Sequence, residues 1–483
     1  MLSKDILYGV SLCCIAPLCF TPQRFAPPFL TSLDFFPYYF KWCRYNLDKG
    51  SFQPYICKCI CISKKNIRPG GFIIFTVFLS SGKTINQSPL ENDGQTREGL
   101  SQMKSIKSFD VIVVGAGASG VGVGMALKRA GVESMILLER GKVGDSFRRW
   151  PEEMRFITPS FPSNAFGLVD LNAVHPSTSP AFSLGEEHPA GRQYAQYLDA
   201  VAGWADLPVR TGVDVRSVSY KNNGFSLETN DGAYTARFIV WAAGELQYPQ
   251  RGGFTGAELC VHNSEVESWR YWKGESIAVI GGYESGIDAA FHLSRAGKSV
   301  VVIDPNAPWK KSDESDPSLV LSPYTIARFR QMEEELPKGR VRFIAEKVRR
   351  VEEQNGQFII RTQTQEIPAD SRPVLATGFQ GSLSLIRDLF DWDAAEGFPI
   401  LTQSADESTQ TPGLFVSGPM VRHRTENGVA VLCFIYKFRM RFALIAAEIA
   451  SRMQLDASPL SEYEEANMVL RDLAACCGSS CSC

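Results

Sequence analysis

Residues 110–139 read DVIVVGAGASGVGVGMALKRAGVESMILLE, and the order of residue types in that stretch decides the fold. An apolar run from Val111 to Val114 enters three glycines, Gly115, Gly117 and Gly120. These open a helical segment that closes at Gly131, and a second apolar run stops at Glu139. The first glycine permits a tight turn, the second lets backbone approach a pyrophosphate, and the third lets the helix lie close to the strand. Unpaired N–H groups and the positive dipole end at the helix start attract phosphate. Glu139 is placed to accept hydrogen bonds from a ribose. Strand, glycines, helix and terminal acid in that order predict a phosphate-cradling βαβ unit.

The unit occurs twice. Residues 276–304 read SIAVIGGYESGIDAAFHLSRAGKSVVVID, with Gly281, Gly282, Ser285 and Gly286 in the turn and Asp304 where Glu139 stood. Gly120 to Gly131 and Gly286 to Gly297 are both eleven residues, and both helices close on Arg-Ala-Gly. Tyr283 takes the middle glycine position, so a pyrophosphate must sit differently there or the tyrosine must turn outward. Two dinucleotide cradles in one chain imply electron transfer between two dinucleotides, commonly a nicotinamide donor and a flavin acceptor.

Two strand ends bracket the second unit: FIVWAAGELQYP, with Ala242, Ala243 and Gly244, and PVLATGFQG, with Ala376, Thr377 and Gly378. The chain is expected to leave one domain, build another and return. TPGLFVSGPMV, around Gly418, reads as a late strand closing the first domain. The fold class is therefore α/β, with two Rossmann-like domains, the second inserted in the first.

Lys plus Arg total 50 against 52 for Asp plus Glu, and the net charge of −2 carries no electrostatic footprint for nucleic acid or an acidic membrane. No apolar run approaches the roughly 18 residues of a membrane-spanning helix. A small-molecule substrate is expected. Of thirteen cysteines, seven precede residue 62, four (Cys476, Cys477, Cys481 and Cys483) end the chain, and only Cys260 and Cys433 lie between. That middle is typical of a reducing, cytoplasmic compartment. Residues 1–102 show no sustained period. MLSKDILYGVSLCCIAPLCF lacks the cleavage signal of a secretory leader, and CKCIC lacks paired metal-ligand spacing. The functional chain is expected to start at Met103, with an unstructured extension before it.

From about residue 105 to 465 the chain resembles the two-dinucleotide-binding-domain flavoproteins. These include low-molecular-weight thioredoxin reductases, flavin-containing monooxygenases and bacillithiol-disulfide reductases. GGYESGIDAA and RRWPEEMRFITPS are most similar to the bacillithiol-disulfide reductase branch and the monooxygenase-like proteins near it. The resemblance implies FAD on the first unit and NAD(P)H on the second. It divides the chain into an FAD domain at 103–250 and 375–465, an NAD(P)H domain at 251–374 and a mobile cysteine tail at 466–483. It also implies that Arg140 and Trp150 flank the flavin's adenosine or ring, that Val215 meets adenine through its backbone, and that Ala243 and Gly418 border the cofactor.

Departures from the family patterns remove chemistry. Residues 251–374 contain only Cys260, so the thioredoxin-reductase dithiol is missing, and Ser119 stands where the bacillithiol branch carries a cysteine. The monooxygenase fingerprint is only hinted at by FTGAELCVHNSEV, where His262 falls two residues late. Pro419 follows Gly418 in place of the usual aspartate. Asp304 favours a ribose 2′-hydroxyl and hence NADH, while Lys310 and Lys311 could rescue NADPH.

Near the closing strand, Arg422, His423 and Arg424 are expected just before a helix beginning at about Thr425. His423 is a candidate acid or base near the flavin; otherwise the triplet neutralises phosphates or faces solvent. Cys433, inside that helix, reads as a buried small hydrophobe. The last segment, SPLSEYEEANMVLRDLAAC, is expected to be a helix that projects the tail. A mobile cysteine-bearing terminus resembles that of mercuric reductase. Cys476 and Cys477 could exchange with a disulfide at their own flavin or at a partner subunit's in a homodimer. Alternatively the four tail cysteines bind a soft metal ion or are idle. With no cysteine placed near the flavin, the main expectation is an NAD(P)H oxidoreductase whose reduced FAD oxygenates a small soft nucleophile. The alternatives are thiol, disulfide or soft-metal reduction through the tail, and a non-catalytic flavin-binding redox sensor or metal-handling adaptor, which Tyr283 would favour.

Overall fold

A computed structural model describes residues 106–163, 167–311, 318, 320–426 and 428–474. The extension at 1–102 and Cys476, Cys477, Cys481 and Cys483 lie outside them.

The first unit forms as its sequence dictates. β1 (Lys107–Val114) runs into α1 (Ala118–Arg129) and β2 (Met135–Glu139). α2 (Gly191–Trp204), β3 (Val209–Thr211), β4 (Val215–Lys221), β5 (Gly224–Thr229) and β6 (Gly232–Trp241) follow. The sheet order is β3-β2-β1-β6-β5-β4. β1 pairs in parallel with β2 and β6, so Ile112 lies beside both Ile136 and Ile239. Burial on both faces explains the unbroken apolar run at 111–114. β6 is long enough to serve two partners on one edge: residues 232–236 pair with β5, and 239–241 pair with a strand from much later in the chain.

Between them lies the second unit. β7 (Val261–His262), β8 (Ser276–Ile280), α3 (Glu284–Arg295), β9 (Ser299–Ile303), α4 (Pro323–Glu335) and β10 (Val341–Ile344) precede an antiparallel trio, β11 (Arg350–Gln354), β12 (Gln357–Arg361) and β13 (Glu366–Ala369). β14 (Val374–Leu375) then enters between β8 and β7, giving the order β10-β9-β8-β14-β7, all parallel.

The glycine loops show why both units have the same form. At Gly115 (φ 103°) a methyl group would lie 2.5 Å from the Ala242 carbonyl oxygen, and at Gly281 (φ 104°) 2.2 Å from that of Ala376. A methyl on Gly120 would come within 1.9 Å of the Gly115 carbonyl oxygen, and one on Gly286 within 2.0 Å of that of Gly281. Each loop is thus locked against the end of a neighbouring strand, β6 in one sheet and β14 in the other. This corrects the expected boundary at 374/375, which cuts β14 in half. PVLATG belongs to the second sheet as FIVWAAG belongs to the first, and the chain returns only after Ala376.

β15 (Leu414–Val416) closes the first sheet beside β6. The helix expected from Thr425 is instead a hairpin, β16 (Arg422–Thr425) with β17 (Gly428–Val431). Thr425 pairs with Gly428, so a two-residue loop, the commonest hairpin length, joins the strands. Helix begins only at α5 (Ile435–Phe438) and α6 (Phe442–Arg452). α6 packs on α1 so closely that a methyl on Gly122 would strike the Phe442 ring at 2.0 Å. The final segment is not one helix: a turn at Ser461–Glu465 gives way to chain pinned by Leu470 N–H on Met440 O (3.1 Å), with Met468 and Leu473 buried.

Candidate functional site

A cavity of about 450 Å³ opens over the first glycine loop and reaches the second unit, within the roughly 300–1,000 Å³ of small-molecule sites. Its floor is the start of α1. Gly117 caps that helix without a side-chain hydrogen bond, and a methyl there would meet no atom within 4 Å, so uncapped N–H groups face open space. A pyrophosphate fits such a cradle. Glu139 stands at the rim, its Oε2 accepting from Ala116 N–H and its Oε1 from Gly141 N–H, both at 2.7 Å. Burial pushes its pKa up against those two bonds.

Gly115, Gly117, Glu139, Arg140, Trp150, Val215, Ala243 and Ser285 all line this cavity. Arg140 is held by Gln247 Oε1 at 2.8 Å, and Trp150 packs on Phe156 with ring centres 5.0 Å apart. Gly120 supports the loop from below. Gly418 (φ 113°) lies against Ser119, whose hydroxyl donates to Ser417 Oγ at 2.7 Å. The residue in the thiol's place thus ties the first loop to β15.

Gly281, Gly282, Gly286 and Asp304 form their own cradle outside this lining. Gly282 N–H donates to Asp304 Oδ2 at 2.8 Å, and Trp309 packs over Gly282. Tyr283 is partly buried against the second unit's core, its hydroxyl donating towards the carbonyls of Ser318 (2.9 Å) and Val320 (2.6 Å).

His423 is elsewhere. It is 3% exposed on β16, and its Nε2 lies 2.6 Å from Asp406 Oδ1. Arg441 donates to the same carboxylate from Nε and Nη2, both at 3.0 Å. His423 does not line the cavity, because strand pairing turns it into this buried network. His262 is also buried, with Nε2 3.1 Å from Gly378 O.

The lining residues that the sequence reading did not assign to the site include Glu245, Asp288 and Cys433. Glu245 directly follows the strand-end Ala-Ala-Gly, a position that could have pointed to it. Its carboxyl is pushed up by burial, opposed by the charge of Arg422. The native state therefore holds that proton more tightly than the unfolded chain, so stability falls as pH climbs from the unfolded carboxyl range through the native pKa. Glu245→Gln is expected to melt above the wild type at pH 8 and level with it at pH 4; calorimetric scans at both pH values check this. Asp288 gives Oδ1 to Arg328, while its buried Oδ2 has no hydrogen-bond partner among the described residues.

Cys433 was misplaced by the helix assignment. It is half-buried in the segment before α5, and burial pushes its thiol up while the Ser318 hydroxyl and the charges of Arg422 and Lys437 pull it down. Lys437 Nζ donates to Ser318 Oγ at 2.8 Å. Ser318 is also the residue that receives Tyr283, so Cys433 sits where the two dinucleotide units meet. Cys260 is buried with its thiol pushed up to about 12, which keeps it protonated and inert. Among the described residues no helix is long and apolar enough to cross a membrane, and no group of three His, Cys, Asp or Glu could hold a metal ion.

A family model for pyridine nucleotide-disulphide oxidoreductases matches residues 112–418. The chain belongs to that family. It is an FAD- and NAD(P)H-dependent oxidoreductase. Bacilliredoxin reductase Bdr of Bacillus subtilis is 24% identical over 346 residues, 71% of this chain and 97% of that protein. An uncharacterized oxidoreductase CzcO of Bacillus velezensis is 27% identical over 194 residues, 39% of this chain and 52% of that one. Among solved structures, bacillithiol disulfide reductase Bdr from Staphylococcus aureus superposes with a TM-score of 0.59 at 18% identity, covering 72% of this chain and 99% of its own. A flavin-containing monooxygenase from Stenotrophomonas maltophilia gives 0.52 at 19%, covering 72% and 100%. Both likenesses are of fold.

Proposed function

We propose that this oxidoreductase passes its electrons to a disulfide, with Cys433 as the exchange thiol. The observation that carries the reading is a half-buried, unpaired cysteine lining the same cavity as the first glycine cradle. The expectation of monooxygenation rested on having no such thiol. The match to bacilliredoxin reductase over nearly its whole length supports the same reading.

FAD, when bound, accepts hydride from the nicotinamide and holds two electrons for the acceptor. In exchange, Cys433 thiolate attacks one sulfur of the substrate; a Cys433–substrate S–S bond forms, the original S–S bond breaks, and the first thiol leaves. Bound flavin would supply the two electrons needed to reduce that mixed disulfide, from which Cys433 would return as thiolate while the second thiol left with a proton from solvent. Arg422 and Lys437 favour the attacking thiolate. Because burial keeps the resting thiol protonated at neutral pH, turnover is expected to rise with pH through the alkaline thiol range.

Cys433→Ser is expected to lose about 100-fold or more of coenzyme-dependent reduction of a chromogenic aryl disulfide. Bleaching of the flavin by coenzyme under nitrogen should persist. Mass spectrometry of the wild type should trap the probe on Cys433. Deletion of residues 476–483 should leave turnover intact. A serine variant that turns over normally while the truncation is dead would move the exchange to the tail. Oxygen-dependent product with no disulfide turnover would make the protein a monooxygenase.

A further inference from the structure

We propose that Glu245 carries the proton of the exchange, taking it from the Cys433 thiol and handing it to the first thiol to leave. The inference rests on Cys433 being the exchange thiol. The attacking thiol must lose a proton and the expelled sulfur must gain one, so a single carboxylate in reach of both sulfurs can serve both ends. Most carboxylates that line the cavity are already engaged. Glu139 is held by two backbone N–H groups, Asp145 by Arg149, Glu284 by Ser322 and Thr325, and Asp288 by Arg328. Only Glu245 and Asp214 among them have carboxyls with no hydrogen bond or ion pair to the described residues. Asp214 directly precedes β4, and of the two it is Glu245 whose charge pushes on the Cys433 thiol. The backbone on either side of that carboxyl is fixed: Gly244 O accepts from Ser382 N–H at 3.0 Å and Glu245 O from Tyr248 N–H at 2.9 Å. An unengaged side chain therefore swings on a rigid base.

The surroundings suit a proton that moves between the two groups. Burial pushes both the Glu245 carboxyl and the Cys433 thiol up, and the charge of Arg422 opposes both. Arg422 is itself tethered, its Nη1 donating to Pro419 O (2.7 Å) and Val421 O (3.1 Å). Thiol with carboxylate, and thiolate with carboxylic acid, place the same single negative charge beside that guanidinium. The proton can cross from sulfur to oxygen without adding a buried charge. In the step, the Cys433 S–H bond breaks and an O–H bond forms on Glu245. The thiolate pair then forms the Cys433–substrate S–S bond, and the pair of the broken substrate S–S bond goes with the departing sulfur. That sulfur takes the proton, and Glu245 returns as carboxylate.

The test follows the exchange step alone, in the flavin-loaded full chain without coenzyme, by the rate at which the Cys433 peptide gains the mass of a probe. Two probes differ in what leaves. A chromogenic aryl disulfide expels a stable thiolate, whereas bis(hydroxyethyl) disulfide expels a basic alkyl thiolate that needs a proton. Glu245→Gln should slow labelling by the alkyl probe about 100-fold. Labelling by the aryl probe should stay within about 2-fold of the wild type or quicken, because removing the carboxylate also eases ionisation of Cys433. Glu245→Asp, which keeps the acid on a shorter stem, should bring the alkyl rate back to within about 10-fold of the wild type. Equal slowing of both probes, or slowing of neither, overturns the proton carrier alone. Coenzyme-dependent turnover of the aryl probe that survives Cys433→Ser overturns the reading of the thiol itself.

Discussion

Gly117→Ala is expected to fold like the wild type and yet bind FAD at least about 10-fold more weakly, while Gly120→Ala is expected to cost about 3 kcal/mol of stability. The two glycines are three residues apart in one loop, and the structure assigns them opposite kinds of space. A methyl on Gly117 touches no atom within 4 Å, and φ there is −80°, so alanine brings neither clash nor backbone strain. The same methyl projects into the cavity above the uncapped helix start, where the pyrophosphate approaches. On Gly120 the methyl meets backbone, the Gly115 carbonyl oxygen at 1.9 Å and its carbon at 2.8 Å, and neither can move without unseating β1. Flavin titration and denaturant unfolding of the apoprotein separate the two effects. A Gly117→Ala protein with undiminished flavin affinity would place FAD somewhere other than this cradle.

Asp406→Asn is expected to cost about 3–5 kcal/mol, the usual penalty for stranding a buried charge. Asp406 is fully buried and receives His423 on Oδ1 and Arg441 on both oxygens. Arg441 is 1% exposed and also donates to Leu470 O and Gln403 O, both at 2.6 Å. Asparagine keeps the shape and tolerates the left-handed backbone at φ 58°, so the lost charge is the main change. Denaturant unfolding measures it. His423→Gln should lose stability through the same network while coenzyme still bleaches the flavin at a rate within about 2-fold of wild type. A rate collapse in that variant would return His423 to the chemistry.

The two cradles were legible because each of their residues answers to a local constraint. A tight turn, a close helix and a terminal acid leave a mark at fixed spacing, so Gly115 to Glu139 and Gly281 to Asp304 could be read without a fold in hand. What stayed hidden depends on contacts distant in sequence. PVLATG and FIVWAAG look alike because both end a buried parallel strand against a glycine loop, and nothing in either says which sheet it joins. His423 is a candidate acid or base only by its place after the closing strand, and a hairpin turns it inward onto Asp406. The helix expected from about Thr425 left no place for that hairpin. That one error also buried Cys433 in an imagined helix, and with it the thiol that changes the reading of the chemistry.

The chain passes between its two sheets twice, and the passages are zipped together. Gln250 N–H bonds Gly378 O and Gln380 N–H bonds Tyr248 O, both at 2.8 Å, while Ser382 N–H bonds Gly244 O at 3.0 Å. The nucleotide module is therefore a cassette whose two ends are already joined by a ribbon of backbone. Splicing in a counterpart from a relative needs no new loop to be closed, and the entropic penalty of a long insertion is largely avoided. A lineage could exchange its coenzyme module at this seam while the flavin sheet, sealed by β15 on β6, stayed as it was.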